Sequence, residues 1–170
     1  MGIIISCFKG CGREFFKNTY NDKVSIFDAA GGLENALKGH KLTDDVIESY
    51  FNKVMDSVND YDVVFITPIQ EIRDFFNENK IDYDIFYPSK ERRNEFLENF
   101  VRKRVNHDEI REMDLNFEKW IDEIDNDDSP NCYKHKLSNN GEFIGNAPII
   151  MQYINSLNNN KKKENNNNNE

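Results

Sequence analysis

The opening stretch constrains this chain more than any other. Ile3, Ile4 and Ile5 sit in an unbroken apolar run over Gly2–Cys7. Three β-branched residues with no polar alternation read as a strand covered on both faces, the situation of an inner strand in a parallel sheet. The run stops at Phe8–Gly12, a turn holding two glycines. A short helix is expected over Arg13–Asn21, with Phe15 and Phe16 turned inward.

The same alternation recurs. Val24–Asp28, Val63–Ile66 and Ile81–Tyr87 read as further strands, with Pro88 ending the last. Tyr133–Leu137 reads as the final one, with Phe143–Ile144 continuing it past the turn signal Asn139-Asn140-Gly141. Between them lie helical periodicities. Val46, Tyr50, Phe51, Val54 and Val58 form one stripe over Asp44–Val58. Thr67-Pro68-Ile69-Gln70 reads as a helix start, with Thr67 capping, Pro68 in the first position and Gln70 closing a capping box. Phe96, Leu97, Phe100 and Val101 mark another helix, and Ile110, Met113, Phe117, Trp120, Ile121 and Ile124 the next. Ala29–Lys41 reads as a loop or weak helix, and Pro148–Ile154 as a closing helix. Strands alternating with helices predict α/β architecture, a three-layer sandwich around a mostly parallel sheet. The domain is expected to span 1–154. Beyond it, 155–170 is nearly all Asn, Lys and Glu, too poor in apolar area to offset its ordering entropy, so it reads as a disordered tail.

The net charge of −9 argues against bulk attraction to nucleic acid. A local basic cluster is still able to hold a small anionic ligand. Three cysteines, Cys7, Cys11 and Cys132, give no disulfide framework, and no apolar run is long enough for a span. A reduced cytoplasmic setting is therefore expected.

The chemistry is concentrated at the first loop. A phosphate loop needs a strand, a glycine-rich turn whose N–H groups point at the anion, and a helix start. The full pattern is G-x-x-x-x-G-K-[ST]. Here Cys7–Glu14 reads CFKGCGRE. Gly10 and Gly12 are present, Cys7 replaces the first glycine, Arg13 replaces the lysine and Glu14 replaces the hydroxyl residue. On these residues the chain resembles a degenerate nucleoside or nucleotide kinase-like member of the P-loop NTPases. The resemblance implies phosphoryl transfer from ATP to a small nucleoside- or nucleotide-like acceptor, with Mg²⁺. It implies that Gly10, Cys11, Gly12, Arg13 and Glu14 hold the nucleotide and that Glu14 takes the metal. Arg13, with Arg102 and Arg104 from a late basic lid, would neutralise charge. Asp28, at the end of the second strand, would orient the acceptor.

Blander readings stand beside these. The glycines suit a turn that needs close strand–helix packing. Asp28 suits a cap ahead of Gly31 and Gly32. Arg92 and Arg93 lie in a mixed-sign run typical of an exposed helix face. Arg102 and Arg104 point apart unless their helix ends near Val101. Two alternative functions follow: a non-catalytic nucleotide- or anion-binding domain, and a structural or interaction protein whose partners the sequence does not reveal.

Overall fold

The computed structural model describes residues 2–36 and 42–167. Five strands form one sheet: β1 (Ile3–Cys7), β2 (Ile26–Asp28), β3 (Val63–Ile66), β4 (Tyr83–Pro88) and β5 (Cys132–Leu137). Every pairing is parallel, and the order is β2-β3-β1-β4-β5. The triple isoleucine thus forms the central strand, with Ile4 and Ile5 buried.

Helices cover both faces. The first is α1 (Arg13–Tyr20), followed by α2 (Ala29–Ala36), α3 (Asp44–Asp60), α4 (Gln70–Glu78), α5 (Arg93–Arg102), α6 (His107–Asp125) and α7 (Pro148–Asn167). The register shows the layering. Ile5 lies opposite both Phe65 and Asp84, so Phe65 and Tyr83 face opposite sides. Phe16 of α1 packs edge-on against Phe65, while Phe76 of α4 packs edge-on against Tyr83. The protein is therefore a three-layer α/β sandwich.

The order places a reversal at the sheet centre. From β1 the chain moves to β2 on one flank, and later enters β4 on the other side of β1. In open α/β sheets the crevice at such a reversal, outside the carboxyl ends of the strands, is where ligands bind. The loops after β1 and β4 form that crevice here, joined by the Phe8 N–H donating to the Phe86 carbonyl at 2.8 Å.

Several local expectations are corrected. Phe143–Ile144 is not strand; a 3-10 turn occupies Ile144–Asn146. The Thr67 start is not used: α4 begins at Gln70 after Ile69, and the Thr67 N–H donates to the Tyr50 hydroxyl. Phe15 is exposed, and only Phe16 of that pair is buried. Arg92 is not a surface residue; it is 1% exposed. The boundary at residue 154 falls inside α7, and Leu157 still packs against the core. The segment from Ala29 is helical to Ala36; its expected continuation to Lys41 lies outside the described residues. Among the described residues no helix is long and apolar enough to cross a membrane.

Candidate functional site

The β1–α1 loop turns on two left-handed glycines, Gly10 at φ 93° and Gly12 at φ 95°. L-residues avoid this region, so the CFKGCGRE spacing is conformationally required. The loop holds itself with Cys11 N–H to Phe8 carbonyl, and α1 closes its first bond from Phe16 N–H to Gly12 carbonyl. Gly12 is the N-cap and supplies no side-chain acceptor. First-turn amides such as those of Glu14 and Phe15 have no intrahelical acceptor. They form a positive helix mouth at the sheet's reversal point.

Packing also requires these glycines. A Cβ on Gly10 would lie 3.0–3.1 Å from the rings of Phe96 and Phe100, and one on Gly12 would lie 3.1 Å from Phe143. The Ile144 N–H donates to the Cys11 carbonyl at 3.0 Å, fixing the loop from the far side. Helix α5 and the β5–α7 connection thus clamp the loop. Cys7 and Cys11 are buried and form no disulfide. Burial, helped by Cys7, pushes the Cys11 thiol well up, with Arg92 opposing, so it stays neutral.

Arg13, Glu14 and Asp28 meet in one charged network. Arg13 Nε lies 3.5 Å from Asp28 Oδ2. Lys17, which the motif reading did not include, stands between the two carboxylates, with Nζ 2.7 Å from Glu14 Oε1 and 2.8 Å from Asp28 Oδ2. The available signal was its helical spacing, three residues after Glu14 and four after Arg13. Asp28 also accepts from the Gly31 N–H at 3.0 Å, so the expected cap is present alongside the ion pairs. Burial alone would raise the Asp28 carboxyl; the Lys17 hydrogen bond, the Gly31 N–H and the Arg13 charge outweigh it and hold it below the ordinary aspartate range. Burial likewise works against the Lys17 ammonium, but its bonds to Asp28 and Glu14 prevail and raise its pKa.

This donor set does not fit a resident Mg²⁺. Glu14 and Asp28 would have to ligate an ion from the position that the Lys17 ammonium holds, with Arg13 beside it. Among the described residues, three positive centres would crowd two carboxylates.

Arg102 and Arg104 lie apart from this network. Arg102 ends α5, and Arg104 follows in a left-handed conformation at φ 57°. Both are exposed. Helix α5 nevertheless reaches the loop through Phe100, which packs on Gly10, and α6 reaches it through Glu109, which pairs with Lys9 at 2.6 Å. Arg93 pairs with Asp114 on the surface. Tyr87 is buried and donates to Asp125, which removes it from the crevice.

A cleft of about 300 Å³ opens between α2 and α3, lined in part by Ala29, Gly32, Leu33, Val46, Tyr50 and Lys53. It begins one residue after Asp28.

No family model and no curated protein matches this sequence. Among solved structures, a gluconokinase from Sinorhizobium meliloti 1021 is similar at 11% identity and TM-score 0.49, covering 92% of this chain and 91% of that one. A sugar kinase from Janibacter sp. HTCC2649 has 15% identity and TM-score 0.49, with coverage of 91% and 90%. Shikimate kinase from Bacteroides thetaiotaomicron has 11% identity and TM-score 0.46, with coverage of 95% and 98%.

Proposed function

We propose that this chain is a kinase-like domain that binds the phosphates of ATP at the β1–α1 loop and transfers a phosphoryl group to a small nucleoside- or nucleotide-like acceptor. One observation carries the reading. The uncapped mouth of α1, behind two left-handed glycines, lies at the reversal point of a parallel sheet, and its first residue shares an ion network with Asp28.

The roles follow from the positions. The loop amides cradle donor phosphates. The Arg13 guanidinium is a planar fork able to exchange Asp28 for phosphate oxygens. Arg102, at the end of the helix clamped over Gly10, and Arg104, two residues beyond it, supply further positive charge from the lid side. The cleft after Asp28 takes the acceptor. Asp28 stays ionised at neutral pH because its pKa is depressed. It therefore accepts a hydrogen bond from the acceptor hydroxyl rather than acting as a strong base. The loose transition state of phosphoryl transfer asks more for positioning than for basicity.

Binding without transfer is the second reading. It is favoured by the Glu14–Lys17 pair, which puts a carboxylate and its counter-ion where a hydroxyl would serve the phosphates. Calorimetric titration with ATP, then incubation with γ-labelled ATP and a panel of nucleosides and nucleotides, separates the two. Binding with label transfer supports the first reading, and binding without transfer to any acceptor selects the second. Arg13→Ala is expected to weaken ATP by about tenfold, the order of one charge-assisted contact. No binding at millimolar ATP defeats both and leaves an interaction domain.

A further inference from the structure

We propose that the Lys17 ammonium is a built-in cation standing where a divalent ion would bridge Glu14 and Asp28, so that the site accepts a phosphate-bearing ligand without a metal ion held by the protein. The identity of the ligand rests on the phosphate-site reading above; the assignment of Lys17 does not.

Geometry carries the proposal. One nitrogen lies within 2.8 Å of a carboxylate oxygen from each of two different elements, α1 and the end of β2. An ammonium presents three donors and no acceptor, so it can serve two carboxylates and still hold one donor for a third oxygen. Among the described residues, Arg13 and Lys17 pair with Asp28 and Glu14. A divalent ion bridging Glu14 and Asp28 would have to displace the ammonium from both oxygens. Without the lysine charge, Glu14 and Asp28 lose the cation they share. Two carboxylates in reach of one point are what a hard divalent ion takes.

The test uses Mn²⁺ alone as the probe, followed by its electron paramagnetic resonance signal on the full chain without nucleotide. The wild type and Glu14→Gln should bind Mn²⁺ with the same isotherm. Lys17→Met should gain one site, at least about tenfold tighter, within the affinity range of weak carboxylate sites. That site should vanish in Lys17→Met/Glu14→Gln and in Lys17→Met/Asp28→Asn. A wild-type Mn²⁺ site abolished by Glu14→Gln would overturn the proposal, and so would a folded Lys17→Met with no gain. Lys17→Gln serves if the methionine variant does not fold, and the wild-type against Glu14→Gln comparison decides even without either. A second arm measures ATP binding in EDTA and in Mg²⁺. Equal affinities support the proposal, whereas binding lost in EDTA overturns it. Absent ATP binding in both solutions would defeat the phosphate-site reading, while the Mn²⁺ comparison would still decide the role of Lys17.

Discussion

Asp28 shows how much of this site depends on single contacts. Its carboxyl is held below the ordinary aspartate value, so its contribution to stability is fully present above that value. It is lost as pH falls through the depressed folded value. The wild type should therefore lose stability more steeply than Asp28→Asn in acid below about pH 4, as read from urea midpoints across pH. Parallel curves would contradict the pairing. Gly12→Ala should cost about 1–3 kcal/mol, combining a left-handed φ with contact against Phe143. Thermal unfolding checks it. The glycines were legible because their spacing is a backbone requirement. Lys17 was not, because one of its partners lies across the sheet on β2 and nothing local to the helix announces it. Arg92 was misread for a related reason. Its neighbours alternate in sign like an exposed face, and only tertiary packing puts it under Phe143.

Arg92 belongs to the scale of elements. Its guanidinium donates to Leu137 and Glu142 carbonyls at 3.2 and 2.8 Å and forms a two-pronged pair with Glu95 at 2.8 Å. It also stacks over Phe96 and Phe143, the residues that cover Gly10 and Gly12. One buried side chain thus ties the start of α5 to the connection after β5, and sets the clamp on the loop. Arg92→Met should cost about 1–3 kcal/mol, because the buried guanidinium's bonds to Glu95 and to the Leu137 and Glu142 carbonyls are lost together. Replacing the half-buried Arg93, which pairs with Asp114, by Met should cost under about 1 kcal/mol. Denaturant unfolding of the pair checks the contrast. The helices with clear apolar stripes were legible as elements. Their starts were less so: the Thr67 signal is locally sound, yet the Tyr50 hydroxyl takes the Thr67 N–H as acceptor and the helix begins three residues later.

At the scale of the molecule, alternation of strand and helix made the layered parallel fold legible. The strand order was not, since hydrophobic pattern gives an element's faces but not its neighbours. That order brings the ends of β1 and β2 to the same edge and so assembles Arg13, Lys17 and Asp28. The packed part of α7 runs slightly past the expected boundary at residue 154. Composition falls off after Ile154, but Ile154 is buried and Leu157 still packs on the core. Truncation after Leu157 should leave the melting temperature unchanged. Truncation after Tyr153 should lower it, since burying an aliphatic side chain contributes about 1.5–3 kcal/mol. The central claim is that the amides after β1 receive an anion, and nitrogen–proton correlation NMR of the full chain with added ATP tests it most directly. The account predicts that the Gly10, Gly12 and Glu14 amide signals shift saturably while those of the α6 amides near Trp120 stay in place. Unmoved loop amides at millimolar ATP would contradict it.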